Sequence, residues 1–232
     1  MDKVDLKIDW ATHKAAKYAC EHWHYSRCMP VGKLVKIGVW EEGVFIGVVL
    51  FGRGASNNLL RKYDLNQDKG AELVRIALSI HRAFVSQIIS KSIKLLCRFV
   101  PELRLLISFA DTGQGHYGGI YQATNWIYSG MTNDRDRFYI IRGKKIHPRS
   151  VSAKYGTRSI PVLKKMGISV GLCDSEPKHR YLMPLDKKMR KQILPLSKPY
   201  PKKQAAEAGN GSDQEHSGGS TPIQSLQQAE VV

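Results

Sequence analysis

The segment from Ile107 to Gly130, ISFADTGQGHYGGIYQATNWIYSG, sets the expected architecture. The apolar run Leu103 to Ala110 reads as a strand that ends in a carboxylate, Asp111. The run after it, with Gly113, Gly115, His116, Tyr117, Gly118 and Gly119, is a turn-rich loop. Ile120 to Asn125 reads as a short helix and Trp126 to Ser129 as a second apolar strand. A strand that presents a carboxylate at its C-terminal end, beside a glycine-rich loop and a helix start, is where α/β proteins place ligands. The same pattern also fits a buried strand followed by an ordinary surface loop.

On the N-terminal side, Ser86 reads as the cap of an amphipathic helix reaching Phe99. Ile88, Ile89, Ser92, Leu95, Leu96 and Phe99 share one face, and Lys91, Lys94 and Arg98 face out. The strand before it, ELVRIAL from Glu72 to Leu78, carries Arg75 at its centre. An arginine inside an apolar strand needs a carboxylate or a bound anion, because an unpaired buried charge is costly. Glu72 and Asp111 are the structural partners within the motifs, and a ligand anion is the alternative.

Further back, Lys33 to Trp40 and Val44 to Phe51 form a hairpin across Glu41-Glu42-Gly43. Gly52 to Ala71 is a polar loop longer than a plain connection needs. At the start, Val4, Leu6, Ile8 and Trp10 alternate as in a strand, and Thr12 caps a helix over His13 to Glu21. The segment HWHYSRCMP follows and gathers His22, His24, Tyr25, Arg27 and Cys28. On the C-terminal side, Phe138 to Ile141 and Arg180 to Leu185 are further strands. Residues 1–196 are expected to form one domain, and 197–232, rich in Pro, Gly, Ser and Gln, a disordered tail.

Charge narrows the partner. Lys plus Arg number 36 against 20 Asp plus Glu, a formal net charge of +16 over 232 residues. From Lys198 onward three Lys face four acids, so the rest of the chain carries +17. Between Arg137 and Cys173 there are nine Lys or Arg and no acid. An acid-free basic span of that length fits a polyanion, most simply nucleic acid. No apolar run is long enough to cross a bilayer, and MDKVDLKIDW lacks the apolar stretch of a signal peptide. The four cysteines form no CxxC pair, which fits a reducing cytoplasm better than a disulfide framework.

Antiparallel strands first, then a strand–helix–strand crossover, give an α+β sandwich with a mixed sheet flanked by helices. This order resembles the acetyltransferase (GNAT) superfamily. There the turn before the long helix receives the pyrophosphate of coenzyme A, since free amides and the helix dipole favour an anion. The matching turn here, SIHRAFVS, lacks the superfamily's glycines; His81 and Arg82 offer charge in their place.

Four motifs in order, WHYSRCMPVGKLVKIGVWEEGVFIGVVLFGRGASNN, ELVRIAL, SFADTGQGHYGGIYQATNWIYSG and KHRYLMPL, closely resemble the Mom family of phage DNA-modification proteins. The resemblance covers most of Trp23 to Leu185. It implies a GNAT-like enzyme that converts adenine in double-stranded DNA to N6-carbamoylmethyladenine, shielding phage DNA from restriction in the host cytoplasm. It implies iron and acetyl coenzyme A as cofactors, with His24, Tyr25 and Asp111 as metal ligands. Such an N/O set suits iron or manganese with open positions. Asp111, Tyr121, Arg75 and His116 become the catalytic candidates, and Arg75, His81, Arg82 and Ser86 the cofactor-binding ones.

Alternatives stay open for several of these residues. Asp111 also suits a general base for the adenine amine or an acceptor for its hydrogens. Tyr121 and Tyr117 can stack on an extruded base, bond a cofactor, or simply pack, and spacing alone makes His24 a strand-edge histidine. DNA contact is expected at Arg53, Arg61, Arg142, Lys144, Lys145, Arg149, Lys154 and Arg158. A homodimer is compatible with all of this. The competing readings are an acetyltransferase acting on a protein or small-molecule amine, and a DNA-binding module without catalysis.

Overall fold

The computed structural model describes residues 4–54, 58–132, 137–174 and 176–202. The chain opens with β1 (Leu6–Trp10) and α1 (His13–Trp23). Thr12 caps α1 as expected, its side chain accepting from the Ala15 amide at 3.1 Å. The hairpin β2 (Leu34–Glu41) and β3 (Val44–Gly52) turns on Glu42 (φ 51°) and Gly43 (φ 79°). Two left-handed residues match the right-handed twist of the strands they join. Next come β4 (Gly70–Leu78), α2 (Val85–Phe99), β5 (Leu105–Asp111), α3 (Gly119–Gln122) and β6 (Ile127–Met131). The segment after it holds β7 (Arg137–Ile141), β8 (Lys144–Ile146), α4 (Pro148–Tyr155), α5 (Ile160–Lys165) and β9 (Gly171–Asp174). The chain then returns through β10 (Lys178–Pro184) to α6 (Lys187–Ile193).

Seven strands form one mixed sheet in the order β1-β2-β3-β4-β5-β10-β6. Every pairing in it is antiparallel except β4 with β5, which α2 connects as a crossover. This is the α+β sandwich with a mixed sheet that the pattern predicts. Strand alternation divides the core. Val49, Phe51, Leu73 and Leu106 pack toward Ile88, Ile89 and Leu96 of α2. Their neighbours Val48, Leu50 and Ala77 pack toward Ala16, Ala19 and Cys20 of α1. Leu105, Ile107 and Leu182 meet Met189 and Ile193 of α6. The basic span forms its own small sheet, β8-β7-β9, covered by Val151 of α4 and Leu163 of α5. In place of one strand and a bare basic stretch, the structure thus has three strands and two helices.

Two expectations about α2 and the tail change. Phe84, not Ser86, is the N-cap of α2, and no side chain of its own caps it. The carboxylate of Glu41, at the end of β2, accepts instead from the amides of Arg82 and Ala83 just before the helix. Phe99, placed on the buried face by periodicity, is 61% exposed and meets the edge of Trp10 at 4.6 Å between ring centres. The body also runs past residue 196 to Pro201. The Lys198 amide bonds the Tyr128 carbonyl at 2.8 Å, and the Tyr200 hydroxyl bonds the Trp126 carbonyl at 2.7 Å. The expected tail disorder concerns residues 203–232, which lie outside the described residues.

Two carboxylates fasten the frame. The Ala83 and Arg82 amides hold the Glu41 carboxyl below its ordinary 4.5. Arg104, bonded at 2.8 and 3.1 Å, holds Asp186 below 3.8. Both folded values lie below the unfolded ones, so this stabilisation is complete above the unfolded range and is lost as pH falls through the folded values. These two carboxylates should therefore add a decline in thermal stability only below about pH 5. The double substitution Glu41→Gln and Asp186→Asn should make that decline shallower, and an equally steep acid limb in the variant would contradict this account.

Candidate functional site

β4 and β5 pair only over Gly70–Glu72 against Leu105–Ile107. Past that point the ladder stops, while β4 runs on to Arg75 and β5 to Asp111. The last tie is Ser108, whose Oγ bonds the Leu73 carbonyl at 2.8 Å and the Tyr121 hydroxyl at 2.7 Å. A bulge where β4 meets β3, between Leu50 and Phe51, adds Val74 beside Arg75 and re-aims that stretch of strand. The result is a wedge in the sheet.

The segment after α1 lies over this wedge. The Arg75 guanidinium donates through Nη1 to the Cys28 carbonyl and also reaches the buried thiol of Cys20. Its Nε is buried and has no partner among the described residues. Arg75 thus pins the loop that carries His24 and Tyr25. The two rings lie 4.2 Å apart, and Tyr25 meets the edge of His116 at 5.4 Å. Burial first, and then the charge of Asp111, push the Tyr25 phenol up from its ordinary value. Burial, then the Arg75 charge and His116, push the His24 imidazole down to about 4. His24, Tyr25, Arg75, Asp111 and His116, drawn from three separate segments, thus lie within electrostatic reach of one another through Tyr25 and Arg75.

The orientation of His24 is informative. Its Nδ1 accepts from the Ser26 amide at 3.1 Å and lies 2.9 Å from Ser26 Oγ. A neutral imidazole that accepts at Nδ1 carries its proton on Nε2 and is a hydrogen-bond donor there. Asp111 accepts at Oδ1 from the Gly113 amide at 3.1 Å, which orients the carboxyl and leaves Oδ2 as an acceptor.

Among the described residues no three His, Cys, Asp or Glu side chains gather to hold an ion, and the expected set of His24, Tyr25 and Asp111 relies on a phenol as its third donor. The lone pair of His24 Nδ1 is committed to a backbone amide, the Tyr25 phenol is held protonated, and the Arg75 cation sits among the donors. Of the coenzyme candidates, Arg75 belongs to the wedge and the other three stand at the turn into α2 and in its first turn. Arg82 reaches Glu41 at 3.5 Å and Glu42 at 3.1 Å, His81 Nδ1 bonds the Ser79 carbonyl at 2.7 Å, and Ser86 is half-buried in the first turn of α2.

Tyr121, a catalytic candidate whose packing role was left open, is a core residue. It is 8% exposed, its ring is covered by Trp126 and Tyr181, and burial pushes its hydroxyl up to about 12. Tyr117 is fixed through its carbonyl, which accepts from the Tyr181 hydroxyl at 2.5 Å. The adjacent Gly118 has φ 84°, and a Cβ there would stand 2.2 Å from the Tyr181 ring, so only glycine fits.

The candidate DNA contacts lie on exposed turns and short elements. Arg53 follows β3, Arg61 opens a 3₁₀ turn, and Arg142 (φ 51°) sits in the β7–β8 turn. Lys144 and Lys145 are exposed on β8, with Lys145 over the Phe138 ring. Lys154 lies over Tyr155, and Arg158 is exposed. Arg149 donates to the Gly54 carbonyl, which joins α4 to the loop after β3, the two segments predicted to grip DNA. Sequence reading missed α6, whose Lys187, Lys188, Arg190 and Lys191 are exposed and make no ion pair among the described residues. Gln192 fastens α6 to the Tyr63 carbonyl, next to Arg61 and Lys62. The signal was present as a capping Asp186 followed by apolar Met189 and Ile193 at helical spacing.

By fold, then, the chain is an α+β sandwich whose one parallel crossover splits to form a polar wedge. The model of the Mom protein family matches residues 5–202, and the chain belongs to that family. It is 24% identical over 205 residues to the methylcarbamoylase Mom of Escherichia phage Mu, covering 85% of this chain and 84% of that protein. Among solved structures it is similar to the aminoglycoside acetyltransferase AAC(6')-Ib in complex with coenzyme A and kanamycin, with TM-score 0.47 and 8% identity over 82% of this chain and 99% of that one. It is also similar to yncA of Salmonella typhimurium with acetyl-CoA, with TM-score 0.45 and 10% identity over 78% of this chain and 95% of that one. At these scores the structural likeness adds nothing to the topology traced above.

The His24 ring should titrate near pH 4 in metal-free protein, against 6.5 for an ordinary histidine. Its folded value lies below the unfolded one, so protonation costs stability as pH falls from 6.5 toward 4. Arg75→Gln should raise the midpoint only part of the way, because burial is the larger cause. Ring-proton NMR reads this directly, and a wild-type midpoint near 6.5 would refute it.

Proposed function

We propose that this chain is a phage enzyme that modifies adenine N6 in double-stranded DNA, giving N6-carbamoylmethyladenine and protecting the DNA from restriction in the host cytoplasm. Family membership and the phage Mu relative, a methylcarbamoylase, support the reaction class. The observation that carries the reading is the meeting of His24, Arg75 and Asp111 around Tyr25 at the mouth of the wedge.

An adenine N6 inside a duplex is stacked and paired, so the base is extruded, at a cost of a few kcal/mol. Phosphate contacts from the acid-free span, and from α6, offset that cost. Asp111 Oδ2 accepts a hydrogen of the adenine amine and takes the N6 proton as the new N6–carbon bond forms. His24 donates through Nε2–H to the carbonyl oxygen of the incoming carbamoylmethyl group, whose leaving group departs with its bonding pair. Being neutral at physiological pH, the imidazole does this without placing a second cation beside Arg75.

Nucleosides from the DNA of an expressing host should contain a mass-shifted deoxyadenosine, and Asp111→Asn should lower its yield at least about 100-fold with the fold intact. Ordinary deoxyadenosine alone, from soluble wild-type protein, would sink the proposal. Duplex DNA binding should weaken steeply with salt. Replacing Lys187, Lys188 and Lys191 with Gln should flatten the log–log salt slope by about 0.9 for each phosphate that is no longer neutralised. Fluorescence anisotropy measures it, and an unchanged slope would remove α6 from the interface.

A further inference from the structure

The turn that leads from β4 into α2, SIHRAFVS, is where the fold offers an anion free amides and the positive end of a 15-residue helix. That place is taken. Both carboxylate oxygens of Glu41 accept from the Arg82 amide at 3.0 Å, and Oε2 accepts from the Ala83 amide at 2.8 Å. Glu41 is only 8% exposed, so its carboxylate is built into the fold. Glu42 adds a second acid beside it, fixed by the Asp5 amide at 3.2 Å and by the Arg82 guanidinium at 3.1 Å. Arg82, one of the charges that sequence reading offered to a phosphate at this turn, is thereby paired with the chain's own acids. His81 is committed to the Ser79 carbonyl, and the turn has no glycine to let backbone wrap a diphosphate.

We infer that the anion seat before α2 holds the side chain of Glu41 in place of a ligand phosphate, so that this chain does not anchor a diphosphate-bearing acyl carrier there. An incoming diphosphate has to expel a charge-assisted contact and then meet two like charges. Glu41 acts as a positioning residue: it ties the β2–β3 hairpin to the start of α2 and keeps the seat closed. The inference stands apart from the DNA reading, because it concerns only how a donor is held and survives whichever amine is the acceptor.

The test is backbone-amide NMR of the full chain, with inorganic pyrophosphate and then coenzyme A as probes. In wild-type protein the Arg82 and Ala83 resonances should not move on addition of either probe. In Glu41→Ala they should move saturably with pyrophosphate. Glu41→Gln keeps an acceptor but loses the charge, and serves if the alanine variant does not fold. It should bind pyrophosphate at least about tenfold more tightly than wild type, a factor worth about 1.4 kcal/mol. Saturable movement of both amides in wild-type protein would overturn the inference, as would a folded variant whose amides stay unmoved.

Discussion

Three residues of parallel pairing, Gly70–Glu72 on Leu105–Ile107, decide the shape of this molecule. If the ladder ran to the ends of both strands, Arg75 and Asp111 would belong to one closed sheet and no wedge would exist. Ser108 marks the point of parting. It is fully buried, and its hydroxyl is satisfied by Leu73 on one strand and Tyr121 from below. A buried hydroxyl left without partners costs about 1–3 kcal/mol, so the parting is fixed rather than loose. Everything that follows in the site, from the re-aimed Arg75 to the loop that it pins through Cys28, is arranged around that split.

The electrostatics of the wedge have one theme. Burial and a fixed guanidinium favour the uncharged imidazole, while burial and a carboxylate favour the uncharged phenol. The wedge therefore offers one cation, one anion and neutral donors between them. The rest of the body carries a strong positive field, and acids are used sparingly within it. Glu41 and Asp186 both serve capping amides and arginine, so their charges are neutralised locally and subtract little from the basic faces.

Much of the frame could be read from the chain because its signals are local. Alternation marks β1, the Glu41-Glu42-Gly43 turn marks the hairpin, and the spacing of Ile88, Ile89, Ser92 and Leu96 marks α2. The elements that escaped are short or half-exposed: β8 has three residues, β9 four, and α6 only two buried side chains. Such pieces bury too little apolar surface to leave a periodicity, and neighbouring packing holds them. Around the wedge, His24, Arg75 and Asp111 were singled out by their motifs, and the structure brings them near Tyr25. The proton on His24 Nε2 was not legible, since it depends on the Ser26 backbone amide. Nor was Glu41, whose partners lie 41 and 42 residues away. Tyr121 stayed open between ligand contact and packing, because a tyrosine in a glycine-rich loop looks the same whether it faces ligand or core.

The strap from Lys198 to Pro201 has a bearing on how this protein behaves in solution. β6 is the outermost strand of its sheet, and the backbone of such a strand invites another chain to add to it. Lys198 and Tyr200 bond the carbonyls at Tyr128 and Trp126, and the Pro201 carbonyl is held by Gln122. The molecule thus covers its own sticky border with a few of its own residues. A protease nick in that strap would uncover the carbonyls at Trp126 and Tyr128 and offer a bare strand to a neighbouring molecule.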